Sequence, residues 1–338
     1  MKSQKNILVC PLDWGLGHAT RCVPIINELK RLGYNVIIGA DKNPLAFLKQ
    51  EFPDLKTVII PGYTVSYDEQ GSSFKLFCES VRFYNFIKKE HQFLETIIEE
   101  NNINIIVSDN RYGLWSKKIK SILITHQLYV KVPIGEEIAH NKIEKLIANF
   151  DECWIPDVEG KPNLSGDLSH LKPFKHSHCF IGPLSRFSRQ IKDFDNEEID
   201  VFAILSGPEP QRTIFEKLVL EQIENNNLKA VVVRGLPSSN EELKNKSKNL
   251  KIFNHLSTRE FLEYFQKSKV VVSRAGYSSI MDLATLGKKA ILVPTPGQTE
   301  QEYLAQYHCQ KGRFYTQKQS EFDLEKGIIE IQKCSFSV

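Results

Sequence analysis

Short apolar runs and amphipathic stretches alternate along the chain. Ile7–Cys10 is a continuous apolar run, as found in strands buried on both faces, and Arg21–Leu32 follows with Val23 and Ile26 on one stripe of a helix. Gly33 stands where that helix would need a C-terminal cap. Buried strands separated by helices predict a parallel sheet that is covered by helices on both faces.

The same alternation predicts the other main elements. In the first half, strands are expected at Val36–Ile38, Val58–Ile60, Ile105–Val107, Ile122–Ile124, Glu152–Ile155 and Cys179–Ile181, and a long helix at Phe74–Glu100. In the second half, strands are expected at Val201–Leu205, Ala230–Val233, Lys251–Phe253, Val270–Ser273 and Ala290–Val293, and helices at Gln211–Glu224, Thr258–Gln266 and Tyr277–Leu286.

Chain length and one polar interval predict two domains. The chain has 338 residues, and one domain takes roughly 150. Residues 185–199 are polar and charged without a clean period, and the alternation restarts after them. We expect two Rossmann-like, doubly wound α/β domains at 1–184 and 200–320, joined by a linker at 185–199. Because such sheets bind ligands at the carboxyl ends of their strands, the active site is expected in a cleft between the two domains.

Charge and cysteine content narrow the function. The net charge is +3, from 44 basic and 41 acidic residues, and no dense Lys/Arg block is present, so no nucleic-acid partner is expected. The 7 cysteines are scattered without paired spacing, which predicts buried reduced thiols rather than a metal site or a disulfide framework. The first apolar run is too short for a signal peptide, and no run reaches membrane-span length, so a cytoplasmic location is expected.

The first strand leads into a glycine turn that ends in a histidine. Gly15 and Gly17 let the backbone approach a ligand, and the following helix start offers free N–H groups to an anion. His18 is a candidate general base, since a strained turn is a poor place for a core residue. A dinucleotide-binding loop is the alternative, with Asp41 as its ribose-binding acid, but Thr20 stands where that motif needs a third glycine.

Two more polar clusters follow buried strands in the first half. Asp109, Asn110 and Arg111 come directly after one strand, and His126 comes after the next. Asp109 is the second candidate for the general base, although it could instead cap the following helix. His126 is either a substrate contact or a structural histidine.

The second half repeats the arrangement of strand, glycine and helix. Gly276 allows a close backbone approach, and Ser278 and Ser279 add hydroxyls near the helix start, as a diphosphate site requires. Asp282 shares a helix face with Ser278 and could accept hydrogen bonds from ribose hydroxyls. The next strand end, Val293–Glu302, brings amides and carboxylates to the same rim, although a Pro-rich loop and a capped helix would also explain that segment.

The segment Ser273–Ala305 resembles the C-terminal domain of family 28 glycosyltransferases, the MurG-like enzymes of GT-B fold. The turn at Gly15–His18 resembles the Gly-x-Gly-His loop of the same superfamily, and Gly182-Pro183 looks like its interdomain junction. The resemblance implies a GT-B glycosyltransferase with an N-terminal acceptor-side domain and a C-terminal nucleotide-sugar-binding domain. It also suggests that residues 321–338 form a helix that returns to the first domain.

The resemblance assigns roles to individual positions. It implies that Arg274, Ala275 and Gly276 lie at the nucleotide diphosphate, where Arg274 would stabilise the developing negative charge. Asp282 would replace a ribose-binding glutamate.

Other positions depart from the family pattern. Gln301 would contact the donor sugar, while Glu302 stands where the family has a second glutamine, which leaves the sugar undetermined. Ser206 and Gly207 replace a more glycine-rich loop. Asp109 has no counterpart in the peptidoglycan enzyme, which favours a relative with a different acceptor.

The resemblance implies transfer of a sugar from a nucleotide-sugar, with a UDP-sugar favoured, to an acceptor hydroxyl. Inversion is expected, without a metal ion and with the nucleotide-sugar as the only co-substrate. The acceptor could be a glycan, a lipid-linked molecule or a small molecule. Two alternatives stay open: a nucleotide-sugar 2-epimerase using Asp109, Glu300 and Glu302, and a non-catalytic nucleotide-sugar-binding protein.

One stretch bears on the acceptor. Residues 74–93 combine aromatic and basic side chains, namely Phe74, Phe77, Phe83, Tyr84, Phe86 and Phe93 with Lys75, Arg82, Lys88 and Lys89. Such a helix could contact the inner face of a membrane peripherally and favour a lipid-linked acceptor. The favoured interpretation is a core-facing helix with a solvated basic face.

Overall fold

The chain divides into two compact units, which are described separately. The computed structural model describes residues 4–13, 15–62, 73–132, 135–187, 199–241, 243 and 247–334, with side chains of the long helix after residue 72 described from residue 82. The first unit runs to Leu184, and the second begins at Ser185. By its contacts, the short loop Gly15–Gly17 belongs to the second unit.

The first unit is built on a seven-stranded parallel sheet, with strand order β3-β2-β1-β4-β5-β6-β7. Its elements are β1 Asn6–Pro11, α1 Gly17–Arg31, β2 Asn35–Ala40, α2 Lys42–Glu51, β3 Lys56–Ile59, α3 Ser73–Asn101, β4 Ile103–Asp109, β5 Lys120–Ile124, α4 Glu136–Ile147, β6 Glu152–Ile155, α5 Asp167–His170 and β7 His178–Phe180.

The second unit is built on a six-stranded parallel sheet, with strand order β10-β9-β8-β11-β12-β13. Its elements are β8 Ile199–Ile204, α6 Gln211–Asn225, β9 Ala230–Val233, β10 Leu250–Phe253, α7 Thr258–Lys267, β11 Ser268–Ser273, α8 Tyr277–Leu286, β12 Ala290–Leu292, α9 Thr299–Gln310, β13 Tyr315–Thr316 and α10 Leu324–Glu330.

In each sheet the strand order reverses at one point, and polar residues of that unit lie at this point. In the first unit β1 lies between β2 and β4, and in the second β8 lies between β9 and β11. A crevice forms at the carboxyl ends of the strands where the winding reverses. His18 and Asp109 follow β1 and β4, and Arg274 follows β11, so the polar clusters of the sequence stand at these positions. The predicted doubly wound α/β fold is confirmed.

The helix α2 was not predicted, and it changes the interpretation of Asp41. The Asp41 side chain accepts a hydrogen bond from the Lys42 backbone N–H at 2.9 Å, so it caps α2. A helix cap accounts for the position that resembled the ribose-binding acid of a dehydrogenase. The alternative of a dinucleotide-binding loop is therefore left without Asp41 as its ribose-binding acid.

The start of the predicted linker is packed into the second unit. Ser185, Arg186 and Phe187 are buried, and the Phe187 ring stacks on Phe261 with centroids 5.5 Å apart. The interpretation of 185–187 as a free polar linker is wrong, because an aromatic ring and the stem of an arginine bury themselves against α7. Residues 188–198 of the predicted linker lie outside the described residues.

The C-terminal segment packs on its own unit up to residue 334. Leu324 and Ile331 are fully buried in the hydrophobic core of the second unit. Gln222 of α6 donates to the Phe322 carbonyl at 2.5 Å and accepts from the Leu324 N–H at 2.5 Å. The expectation that residues 321–338 return to the first domain is therefore corrected for 321–334, and 335–338 lie outside the described residues.

Over its described side chains, α3 has one buried and one exposed face. Ile87 and Leu94 are buried, while Tyr84 and Phe93 are 53% and 43% exposed. This matches the favoured interpretation of a core-facing helix with a solvated face, although the side chains of Phe74, Lys75 and Phe77 lie outside the described residues. None of the helices in the described part has the length and apolar character needed to cross a membrane.

Close packing at Gly39 in β2 gives a stability prediction. A Cβ atom at Gly39 would lie 2.5 Å from Ile60 Cδ1 and 2.7 Å from Cys10 Sγ, inside the core. Gly39→Ala should therefore lower the free energy of unfolding by about 1–3 kcal/mol, measured by urea denaturation. Adding Ile60→Val, which deletes the nearest methyl group, should recover part of that loss. A double variant no more stable than Gly39→Ala would contradict the proposed clash.

Candidate functional site

The structure brings His18 and Asp109, the two predicted candidates for the general base, within contact distance. Pro11 at the end of β1 lies opposite Asp109 at the end of β4, so the loop after β1 runs past the carboxylate. His18 Nδ1 lies 3.3 Å from Asp109 Oδ2. The Asp109 side chain is fully buried, whereas the His18 side chain is 15% exposed. The histidine is therefore the member of the pair that solvent or substrate can reach.

Arg21 also binds the Asp109 carboxylate and holds it in place. Its Nε donates to Asp109 Oδ2 at 2.7 Å and its Nη2 donates to Oδ1, so the guanidinium binds both oxygens. Arg21 stands three residues after His18 on α1, which places both side chains on one face of the helix. The sequence analysis missed Arg21, although its spacing from His18 was the available signal.

The environment separates the pKa values of the two groups. Burial alone would raise the pKa of Asp109, but the Arg21 guanidinium and the His18 ring outweigh it and hold that pKa at about 2. Burial, helped by the positive charge of Arg21, lowers the pKa of His18 despite the neighbouring carboxylate. At neutral pH the pair therefore consists of a charged carboxylate and a neutral imidazole.

The two neighbours of His18 Nδ1 favour different tautomers. Asp109 can only accept at that nitrogen, which requires Nδ1–H, whereas Arg21 Nη2, at 2.9 Å, can only donate to a lone pair. A His18 ring with its proton on Nδ1 leaves a lone pair on Nε2, on the other side of the ring. Only this Asp109-bonded tautomer can accept a proton from a substrate at Nε2.

His126 and Arg111 are buried and contact other groups in the interior of the first unit. His126 is 2% exposed, and its Nδ1 lies 3.3 Å from Arg21 Nη1. Arg111 is 1% exposed and donates to Glu90 Oε1 and to the Pro61 carbonyl, both at 2.6 Å. The predicted polar cluster after β4 thus divides into Asp109 at the site and Arg111, which ties α3 to the end of β3.

In the second unit, Arg274 points inward. Its Nη2 donates to the Gln211 carbonyl at 2.8 Å and to Gln319 Oε1 at 2.7 Å, and its guanidinium lies 4.2 Å from the centre of the Phe215 ring. The side chain is 1% exposed, and Ala275 beside it is fully buried. The expectation that the Arg274 guanidinium faces the diphosphate is corrected, because internal carbonyl and amide oxygens hold it in the core.

The start of α8 keeps the features expected of an anion site. Gly276 is its N-cap residue and supplies no side-chain cap, and a Cβ there would meet nothing within 4 Å. Ser278 and Ser279 are partly exposed, and Ser278 Oγ donates to the carbonyl of Gly17 at 2.8 Å. The predicted loop Gly15–Gly17 and the predicted serines are therefore neighbours within the second unit.

Asp282, the predicted ribose contact, bonds to a residue from the predicted linker. Ser185 Oγ donates to Asp282 Oδ1 at 2.6 Å. Burial raises the pKa of Asp282 to about 6, against the opposing effect of the Arg186 charge. The sequence analysis missed Ser185, because its polar neighbours in the chain suggested an exposed linker.

The loop after β8 contacts the loop after β12. Gly207 has a φ of +107°, which is in the region that favours glycine, and a Cβ there would lie 3.5 Å from Thr295 Oγ1. Ser206 beside it is partly exposed. The structure thus brings Ser206 and Gly207 to the segment that was expected to hold the donor sugar.

Gln301 and Glu302 stabilise their own loop. Gln301 Oε1 accepts from the Thr295 N–H at 2.8 Å, and Glu302 Oε1 accepts from the Gly297 N–H at 3.1 Å. Both residues lie in the first turn of α9 and shape the preceding loop. Across the described ranges, no group of three or more His, Cys, Asp and Glu side chains is arranged to hold a metal ion.

The Asp109–Arg21 pair predicts a specific acid sensitivity. The folded pKa of Asp109, about 2, lies below the ordinary value of 3.8, so its stabilisation is complete above pH 4 and is lost as the pH falls toward 2. Between pH 5 and 2.5, the wild type should lose about 1.5 kcal/mol of unfolding free energy that Asp109→Asn does not lose. Urea denaturation at both pH values measures this difference.

The exposed Asp54 supplies the control for that measurement. Asp54→Asn should follow the wild-type pH dependence, since this side chain lies at the surface. Identical pH dependence of Asp109→Asn and wild type would show that Asp109 is not held ionised in the folded state.

Comparison with known proteins bears on the fold and on the family. Residues 208–335 match the family model of the glycosyltransferase family 28 C-terminal domain. An uncharacterized glycosyltransferase of Methanosarcina acetivorans is 24% identical over 321 residues, covering 88% of this chain and 81% of the relative.

A UDP-N-acetylglucosamine--N-acetylmuramyl-(pentapeptide) pyrophosphoryl-undecaprenol N-acetylglucosamine transferase of Caldicellulosiruptor saccharolyticus is 24% identical over 334 residues, covering 92% of this chain and 84% of that enzyme. The crystal structure of Acinetobacter baumannii MurG superposes with a TM-score of 0.56 at 11% identity, covering 98% of this chain and 92% of that chain. The predicted GT-B fold is confirmed. The chain is a glycosyltransferase whose residues 208–335 match the family 28 C-terminal domain, and it is similar to these two transferases in sequence and to MurG in fold.

Proposed function

We propose that this glycosyltransferase moves a hexose from a UDP-sugar to an acceptor hydroxyl, with inversion at the anomeric carbon and without a metal ion or further cofactor. The observation that carries the proposal is the His18–Asp109 pair, in which a buried carboxylate lies 3.3 Å from Nδ1 of a partly exposed imidazole. The name of the Caldicellulosiruptor relative specifies UDP-N-acetylglucosamine as its donor, which favours UDP as the nucleotide.

In the proposed step, His18 acts as the general base. With Nδ1–H bonded to Asp109, Nε2 accepts the proton of the acceptor hydroxyl, and the acceptor oxygen attacks C1 of the sugar. The bond between C1 and the diphosphate oxygen breaks, and its electron pair leaves with UDP. Asp109 orients the ring and stabilises the imidazolium that forms. One displacement at C1 inverts its configuration.

The leaving diphosphate is proposed to bind at the start of α8. The uncapped helix start at Gly276 offers backbone N–H groups, and the hydroxyls of Ser278 and Ser279 lie beside it. Fixed dipoles of this kind stabilise negative charge that develops in the transition state. Because the Arg274 guanidinium is buried, the proposal assigns this stabilisation to the helix start and not to that side chain.

The acceptor is proposed only as a hydroxyl-bearing glycan, lipid-linked molecule or small molecule. A lipid-linked acceptor at the inner face of a membrane is consistent with the undecaprenol-linked substrate in the relative's name and with exposed Tyr84 and Phe93 on α3. Vesicle co-sedimentation tests this part of the proposal, since an acceptor embedded in lipid requires the enzyme to reach the membrane surface.

A ligand screen followed by product analysis tests the proposed function. Thermal shift with UDP-, GDP- and dTDP-sugars should select UDP-sugars, because a ligand at 100 times its dissociation constant stabilises by about 2.7 kcal/mol. Incubation of the selected donor without acceptor should then release UDP slowly. An epimerised sugar-nucleotide would indicate a 2-epimerase instead, and binding without any turnover would indicate a non-catalytic protein.

Removal of the proposed base should abolish most of the turnover. His18→Ala is expected to lower kcat for UDP release by about 10²–10⁴-fold with little change in donor affinity, since the donor is proposed to bind the second unit. The exposed His178 supplies a matched control, and His178→Ala should keep the wild-type rate. Full turnover by His18→Ala would remove this residue from the mechanism.

Donor affinity should depend on the ionisation of Asp282. Its pKa is raised to about 6, so the carboxylate that could accept ribose hydroxyls is lost as the pH falls below that value. The Kd for UDP-glucose, whose diphosphate has no titrating terminal phosphate, should rise about tenfold from pH 7 to pH 5. Calorimetry should show no such rise for Asp282→Asn. An unchanged wild-type Kd would exclude Asp282 from donor binding.

A further inference from the structure

Asn110, the residue after Asp109, has an unusual backbone conformation. It follows Asp109 at the end of β4, with a φ of +58°, and its N–H donates to the Ile124 carbonyl at 3.0 Å. The described non-glycine residues with positive φ are Lys42, Asn102, Asn110 and Asn227, and of these only Asn110 is buried, at 7% exposure. A buried left-handed residue at a strand end is a form of local strain that often occurs at functional sites.

Only the oxygen of the Asn110 side-chain amide has a hydrogen-bond partner among the described residues. Tyr112 OH donates to Asn110 Oδ1 at 3.3 Å, and Tyr112 itself is 5% exposed. Over the described part of the chain, Asn110 Nδ2 donates to no acceptor. The Asn110 side chain is largely buried and its Nδ2 has no acceptor among the described residues, so a bound ligand atom is a physically reasonable partner.

The position of Asn110 next to the reacting groups limits what that ligand atom can be. Asn110 directly follows Asp109, whose carboxylate orients His18, and the Cα atoms of the two residues lie about 3.8 Å apart. Both residues stand at the carboxyl end of β4, where the winding of the first sheet reverses. In the proposed function, this is the edge at which the acceptor hydroxyl meets His18.

We propose that the Asn110 side-chain amide binds the acceptor oxygen, an inference that rests on the proposed function above. Nδ2–H donates to one lone pair of the hydroxyl oxygen, His18 Nε2 takes its proton, and the second lone pair attacks C1 of the sugar. These three directions fix the rotation of the hydroxyl group about its C–O bond. Asn110 is then an acceptor-orienting residue that touches the substrate.

A glycine substitution separates this role from a purely conformational one. Glycine adopts positive φ at no steric cost, so Asn110→Gly keeps the backbone and removes only the amide. With UDP-glucose and UDP-N-acetylglucosamine as donors and water as the acceptor, kcat for UDP release should fall about tenfold. The KM for the donor should stay within about twofold of wild type, and the urea midpoint should fall only slightly, through loss of the hydrogen bond from Tyr112.

Asn102→Gly is the matched control. Asn102 precedes β4 as Asn110 follows it, has a φ of +49° and is exposed, so the same substitution is made at the opposite end of the same strand. Its kcat should equal that of the wild type. A second variant, Asn110→Asp, keeps the shape and the left-handed preference but has no N–H to donate, and its kcat should be as low as that of Asn110→Gly.

The outcomes distinguish the inference from the function on which it rests. Wild-type kcat in Asn110→Gly or in Asn110→Asp would overturn the role of Asn110 and leave the proposed function standing. An equal loss in Asn102→Gly would also overturn it, since the effect would then come from chain flexibility. A wild type that binds and cleaves neither donor would overturn the proposed function, and the inference with it.

Discussion

The first-unit site depends on one buried negative charge, the Asp109 carboxylate. A carboxylate without exposure to water is strongly unfavourable unless opposite charge and hydrogen bonds compensate it. Arg21 provides both, because its planar guanidinium binds the two oxygens together. The compensated carboxylate keeps a low pKa and stays charged at every pH at which the enzyme would work. A fixed charge of this kind can orient His18 without competing with it for a proton.

The same constraint explains why His18 and Arg21 occupy one helix. A spacing of three residues places both side chains on the face of α1 that passes the end of β4. Arg21 also opposes the protonation of His18, and burial acts in the same direction, so the imidazole remains neutral and able to accept a proton. Asp109 therefore contacts two residues with different roles. Arg21 compensates its charge, and His18 is oriented by it.

The periodicity of the sequence predicted most of the fold, because apolar runs report directly on burial. Every strand predicted within the described residues is present, and Gly33, with a φ of +82°, lies at the end of α1 as expected. The prediction was wrong where composition was the only guide. Ser185–Phe187 looked polar, but Phe187 stacks in the core of the second unit.

The sequence predicted where the residues of the candidate site lie in the fold, but not the directions in which their side chains point. Topology brings the carboxyl ends of neighbouring strands to one edge, so Asp109 and His18 could be paired from sequence. Arg274 stands at the corresponding edge of the second unit, yet its long side chain turns inward to carbonyl groups from distant parts of the chain. Nothing in the local sequence records those partners. A charged residue at a strand end therefore indicates a site only when the interior cannot satisfy its charge, and Arg274 does not meet that condition because internal carbonyl oxygens bind its guanidinium.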